Sequence, residues 1–296
     1  MKKSLKTILD YVRYACTQFA LGKIYYGHGT DRAWDEACTL VFCALELPQD
    51  IDARVLNARL TLEERQKILD WIRRRVDERL PLSYLTQRAW FAGLEFFVDP
   101  RVLIPRSPMA ELIQAQFEPW IVPEKVDRIL DLCTGSGCIA IACAYAFPDA
   151  AVDAVDLSEG ALEVAEINVK RHELEDQVHV IQSDLFSALK GQVYDIIISN
   201  PPYVGLEEWE ALPQEYTHEP KLALVAQDDG LDLVLKILRE AKDFLTPSGI
   251  LIVEVGNTME LLQTRFPDVP FVWLDFTHGE DGVFLLTREQ LKGYFS

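Results

Sequence analysis

Asn200-Pro201-Pro202-Tyr203 is the stretch of this 296-residue sequence whose residue types point most directly to chemistry. Neither proline carries an N–H, both have a fixed φ, and a residue before proline is held extended, so the loop should present a rigid row of carbonyl acceptors. The Asn200 side-chain oxygen and the Pro201 carbonyl could together accept both hydrogens of an NH₂ group, and Tyr203 could lay a flat face against a planar amide or base. An amide nitrogen is a poor nucleophile because its lone pair is delocalised into the carbonyl. Two acceptors that draw its hydrogens out of the amide plane favour a pyramidal nitrogen and stabilise the positive charge that develops as it attacks a methyl carbon. Positioning supplies the rest, and no base need act before transfer. Asn200, Pro201, Pro202 and Tyr203 are therefore the expected catalytic residues.

A second motif, Asp131-Leu-Cys-Thr-Gly135-Ser-Gly137, closes one predicted strand and opens a helix. Its glycines permit a tight turn and let a ligand approach backbone N–H groups. The next strand ends in Asp156, where a carboxylate could accept from both ribose hydroxyls of an adenosine. Alone this is ambiguous, since Gly135-x-Gly137-x-x-Ala140 also satisfies the dinucleotide fingerprint. The order of elements favours a methyltransferase layout: about seven strands finishing in an antiparallel hairpin, with no second mononucleotide half. Ser183-Asp184-Leu185 follows the third strand, where Asp184 could meet an adenine amino group and Leu185 pack on the ring; an N-cap is the alternative role for Asp184. The expected cofactor is S-adenosyl-L-methionine, held by Asp131, Cys133, Thr134, Gly135, Ser136, Gly137, Asp156, Asp184, Leu185 and Asn200.

These motifs need a scaffold. Short β-branched runs at 128–133, 151–157, 178–182, 194–199 and 250–255 alternate with helical stretches at 137–147, 159–171, 231–245 and 258–266, which predicts an α/β fold, a Rossmann-like parallel sheet with helices on both faces. The runs 271–276 and 283–287, joined by His278-Gly-Glu-Asp-Gly282, should form an antiparallel edge hairpin. Upstream, apolar residues recur at helical spacing (Ile8, Leu9, Val12; Trp34, Ala37, Leu40, Val41, Ala44), Pro48 should end one helix, and Thr61-Leu-Glu-Glu64 reads as a capping box opening another. The expected division is a helical domain at 1–85, a β-hairpin linker at 86–108 and a catalytic domain at 109–296.

Charge is unevenly placed. Of a net −18, residues 1–80 carry 14 basic against 12 acidic side chains and the remainder 15 against 35. A strongly acidic main domain repels a phosphate backbone and attracts basic partners. Glu207, Glu208, Glu210, Glu215 and Glu219 follow the Asn-Pro-Pro-Tyr loop without an intervening Lys or Arg, and are expected to form an acidic rim. The adenine-specific DNA methyltransferases, which use the same four residues on an exocyclic amine, need basic grooves instead. Six cysteines show no Cys-x-x-Cys pair and five histidines no ligand spacing, so no metal is expected. Lys2 and Lys3 imitate a signal peptide, but Lys6, Asp10 and Arg13 interrupt the apolar stretch, and the longest apolar run, 139–147, is far short of a span; neither a membrane nor DNA is an expected partner, and the expected location is cytoplasmic.

The sequence resembles the N5-glutamine methyltransferases over nearly its whole length. The resemblance rests on Tyr26-Gly-His-Gly-Thr-Asp31, Trp34-Asp-Glu-Ala37, Pro81-Leu-Ser-Tyr-Leu85, Trp90-Phe-Ala-Gly-Leu94, Val102-Leu-Ile-Pro-Arg106, the glycine loop, Asn200-Pro-Pro-Tyr203 and Glu254-Val-Gly-Asn257. The branch that methylates peptide release factors normally reads Arg-Pro-Glu-Thr-Glu where this chain has Arg106-Ser-Pro-Met-Ala-Glu111. That departure and the Gly-His-Gly segment favour the branch acting on large-subunit ribosomal protein L-three. The resemblance implies methylation of a glutamine side-chain nitrogen in that basic protein, free or in a pre-ribosomal particle, and a helical domain that selects the substrate. It also implies cofactor contacts at Cys133 to Gly137, Asp156, Leu185 and Asn200, and substrate contacts at Asn200 to Tyr203.

Overall fold

The computed structural model describes residues 5–30, 32–277 and 282–295. The proposed signal-like lysines, Asp31 of the Tyr26–Asp31 motif and positions 278–281 of the edge turn lie outside them. The chain forms two units, Met1–Arg88 with Pro213–His218, and Ala89–Leu212 with Glu219–Ser296.

The first unit contains α1 (Ile8–Gly22), α2 (Ala33–Ala44), α3 (Leu62–Asp77) and the short α4 (Leu82–Thr86). α1 buries Ile8, Tyr11, Val12, Ala15 and Phe19, the three-and-four spacing of an amphipathic face. The capping box at Thr61 forms: Glu64 N–H donates to Thr61 Oγ at 3.2 Å and Thr61 N–H to Glu64 Oε2 at 2.7 Å. α2 stops earlier than Pro48. Glu46 turns left-handed (φ 55°), and the N–H groups of Glu46 and Leu47 donate back to Cys43 and Phe42, a Schellman closure that ends the helix before the proline is reached. Arg75 of α3 is 1% exposed; its guanidinium donates to Glu36 Oε1 at 2.5 Å, Tyr25 O at 2.8 Å and Glu215 Oε1 at 3.4 Å.

The second unit opens with an antiparallel hairpin of β1 (Ala89–Phe91) and β2 (Leu94–Phe96), followed by α5 (Met109–Gln114). Next come β3 (Arg128–Leu132), α6 (Cys138–Ala146), β4 (Ala151–Asp156), α7 (Glu159–Arg171), β5 (Val178–Gln182) and β6 (Tyr194–Ser199). After α8 (Leu206–Ala211) follow α9 (Asp232–Phe244), β7 (Leu245–Glu254), α10 (Met259–Arg265), β8 (Val272–Leu274), β9 (Val283–Thr287) and α11 (Arg288–Tyr294). The sheet order is β5-β4-β3-β6-β7-β9-β8, parallel through β7, with β9 antiparallel to both β7 and β8. This is the expected seven-stranded α/β methyltransferase sheet with its antiparallel edge. β7 begins five residues before the expected 250: Leu245 already pairs with Tyr194, and Thr246-Pro-Ser-Gly249 is accommodated as a register shift between Tyr194 and Ile196 of the neighbouring strand.

Strand alternation builds two cores. Ile129, Ile196, Ile198, Ile250 and Ile252 face α5 and α6, while Leu130, Leu132, Ile197, Leu251 and Val253 face α9 and α11. With both faces apolar, the polar functional groups are confined to the carboxyl ends of the strands, where open α/β sheets bind ligands.

Candidate active site

The glycine loop is braced from beneath. Asp131, at the end of β3, is fully buried; its Oδ2 accepts from Thr134 Oγ1 at 2.5 Å and Ala140 N–H at 3.1 Å, tying the loop to the first turn of α6. Burial outweighs these two donors and pushes its pKa up to about 7. Asn168 of α7, also fully buried, donates to Ser136 O at 2.8 Å and exchanges hydrogen bonds with the Phe97 backbone at 2.7 and 2.9 Å. Gly137 sits at φ 79° beside Ala165, where an added Cβ would come within 3.3 Å.

Above the loop lies a cleft, lined among others by Cys133, Gly135, Asp156, Asp184, Leu185, Asn200 and Pro202. Asp156 ends β4, and its two oxygens accept from Gly135 N–H and Ser158 N–H, each at 2.9 Å. Burial raises its pKa, against the pull of these backbone donors. Ser183 Oγ, not Asp184, caps the turn after β5 by accepting from Ala188 N–H at 3.0 Å, which leaves Asp184 exposed at the cleft wall. Cys133 (φ 60°) and Leu185 (φ 47°) both stand in the left-handed region, a conformation that non-glycine residues hold only when their surroundings enforce it. Burial drives the Cys133 thiol far up and the Cys138 thiol to about 12, so both are protonated, inert side chains at neutral pH.

β6 delivers Asn200 to the same cleft. Ser199 Oγ donates to Leu132 O at 2.8 Å and ties the strand end to β3, and Asn200 Oδ1 is buried without a hydrogen-bond partner. Tyr203 donates its hydroxyl to Glu254 Oε1 at 3.0 Å.

Of the expected site residues, Asp131, Thr134, Ser136, Gly137, Pro201 and Tyr203 are absent from the cleft wall. Asp131 and Thr134 brace the loop from behind. The wall instead includes Arg101, Val102, Leu103, Leu157, Pro220, Leu222, Ala223 and Leu233, to which residue type and spacing assign no role. Leu157 had a signal in the sequence, an apolar residue directly after the strand-terminal Asp156; it is 54% exposed. The expected acidic rim lacks two of its five members. Glu215 is 2% exposed and packs in the helical unit against Arg75 and Arg79, and Glu219 is 4% exposed, gripped by Arg106 at 2.7 and 3.0 Å and by Ile104 N–H. Glu207 and Glu210 are exposed, and Glu208 accepts from Asn257 Nδ2 at 2.8 Å. Among the described residues no group of His, Cys, Asp or Glu is arranged to hold a metal ion, and no helix is long and apolar enough to cross a membrane.

Comparison with known proteins adds the family. The chain is 50% identical over 98% of its length, and 93% of the relative, to a protein of Francisella tularensis named ribosomal protein uL3 glutamine methyltransferase. It belongs to that methyltransferase family. A second member, from Bordetella pertussis and of the same name, is 49% identical over 98% of both chains. The Methyltransferase small domain matches residues 120–266, which include the glycine loop, Asp156 and Asn200. Among solved structures, the hMettl16 catalytic domain in complex with MAT2A 3'UTR hairpin 6 superposes with a TM-score of 0.55 at 16% identity, covering 84% of this chain and 92% of that one, a likeness of fold.

Proposed function

We propose that this methyltransferase uses S-adenosyl-L-methionine to methylate the side-chain nitrogen, N5, of a glutamine in large-subunit ribosomal protein L-three, called uL3 in the names of its relatives. The observation that carries the reading is the buried, orphaned Oδ1 of Asn200, a residue that lines the same cleft as Gly135 and Asp156. A buried acceptor without a donor costs about 1–3 kcal/mol, and the NH₂ of a planar amide is a donor of the right shape.

The cleft suits the cofactor. Each Asp156 oxygen already accepts one backbone N–H and retains a lone pair for a ribose hydroxyl. Val155, Leu157 and Leu185 offer apolar walls to an adenine ring, and a Cβ at Gly135 would meet nothing within 4 Å, so the loop backbone is open to a ligand. When bound, the cofactor supplies an electrophilic methyl group on a sulfonium. Asp184 and Leu185, in the cleft, hold the adenine, and Asn200 meets the acceptor amide from the cleft wall. Pro201 and Tyr203, which do not line the cofactor cleft, act on the amide from beside it: the Pro201 carbonyl shares its hydrogens with Asn200 and Tyr203 aligns its plane.

The acidic main domain supports a basic protein partner, free or in an assembling ribosomal particle, over DNA. Such a partner also supports a cytoplasmic location, and the helical unit selects it. Incubation with isotopically labelled cofactor and ribosomal proteins from cells lacking the enzyme tests this reading. Label on a glutamine of L-three is expected; label on another residue type, or on nucleic acid, would refute it.

A further inference from the structure

Tyr203 is fixed on three sides. Its hydroxyl donates to Glu254 Oε1 at 3.0 Å. Gly256, at φ 46°, lies so close to the ring that an added Cβ would stand 2.5 Å from Cε2. Gly230, at φ 94°, lies against the main chain, where an added Cβ would be 2.1 Å from the Tyr203 carbonyl oxygen. Both positions thus demand glycine for conformation and for space.

The acceptor of the hydroxyl is itself held. Glu254, the last residue of β7, is 6% exposed, and its Oε2 accepts from Ser107 Oγ at 2.5 Å. Ser107, 8% exposed, accepts in turn from Met109 N–H at 3.2 Å, which anchors it to the start of α5. Gly282 O accepts from the N–H groups of Val255 and Gly256 at 2.7 and 3.2 Å, so the backbone beneath the ring is pinned as well. A tyrosine ring has two side-chain torsions, and a bond at its far end with a flat backbone against it removes both freedoms.

We infer that Ser107 and Glu254 are positioning residues for methyl transfer: the relay Ser107–Glu254–Tyr203 sets the ring angle at which the acceptor amide stacks while Asn200 holds its hydrogens. The inference rests on the function proposed above. The relay acts on the geometry of the attacking nitrogen, so its loss lowers kcat and leaves cofactor binding alone.

Glu254→Leu removes both acceptors, whereas Glu254→Gln keeps a carbonyl for Tyr203 and turns an NH₂ toward Ser107 Oγ. With uL3 protein and saturating S-adenosylmethionine, Glu254→Leu should lower kcat about tenfold to a hundredfold. The cofactor Kd and the KM for protein should stay within about threefold of wild type, and Glu254→Gln should recover most of kcat. Tyr203→Phe, which keeps the ring, should show its own loss, and adding it to Glu254→Leu should cost nothing further, as for groups acting in series. Should Glu254→Leu not fold, Ser107→Ala and Tyr203→Phe form the same cycle. Wild-type kcat in the single variants, failure of the Gln rescue, or losses that multiply in the double variant would overturn the relay. A wild-type enzyme that leaves uL3 glutamine unmethylated would overturn the proposed function itself, and the relay with it.

Discussion

The backbone N–H of Gly135 donates to Asp156 Oδ2 at 2.9 Å, so one carboxylate both shapes the glycine loop and lines the cleft beside it. Asp156→Ala should therefore remove a ligand contact and loosen the loop together. A charge-assisted hydrogen bond is worth about 1.5–3 kcal/mol, so S-adenosylmethionine affinity should fall at least about tenfold. Isothermal titration of wild type and variant checks this; equal affinities would move the ribose contact elsewhere.

Asp131 gives the fold a pH signature. Burial lifts its pKa from 3.8 to about 7, so the folded state holds the proton more tightly than the unfolded chain. That stabilisation is complete below about 3.8 and is lost as pH rises through about 7. Asp131→Asn lacks this dependence. Melting curves at pH 5 and pH 8 should show the Tm of the variant gaining on wild type at the higher pH, and a constant difference would argue against a buried, protonatable Asp131.

The Arg75 network should dominate the stability of the helical unit. Glu36→Ala strips a buried guanidinium of its 2.5 Å partner, and breaking such a pair costs about 3–5 kcal/mol. Glu46→Ala, which removes an exposed partner of Lys67 and Arg88, should cost no more than about 1 kcal/mol. Urea unfolding of the two variants gives the comparison, and similar midpoints would contradict it.

The exposed acids after the catalytic loop are now two, Glu207 and Glu210. Reversing both to Lys should slow association with a basic protein substrate and flatten its salt dependence, since screening acts over about 8–10 Å at physiological salt. Turnover of an uncharged glutamine peptide should not change. Rates at low and high salt for both substrates decide it. Reversal at Glu215 or Glu219 should instead destabilise the protein, because each is buried against arginine.

Residue type and spacing made the scaffold legible where local rules and packing agree: α7, β5, β6 and β9 fall where periodicity puts them. They failed where tertiary context overrides them. Thr246-Pro-Ser-Gly249 looks like a turn but lies within β7, and Glu46 ends α2 with a left-handed conformation that its residue type does not advertise. Within the site, Asp156 and Asn200 could be found because a strand delivers each to the sheet edge. Asp131 carries the same carboxylate yet faces inward, a distinction set by the pleat of β3 and its contacts with α6. Glu215 and Glu219 read as surface because their arginines lie 140 and 113 residues away in the chain.

Methyl transfer should depend on the unpartnered oxygen of Asn200, which accepts from the attacking amide. Single-turnover methylation of uL3 by Asn200→Ala, with cofactor affinity measured on the same sample, tests it most directly. Methyl transfer is expected to be abolished while S-adenosylmethionine affinity stays within about tenfold of wild type. Transfer at the wild-type rate, or its loss solely through failure to bind the cofactor, would contradict it.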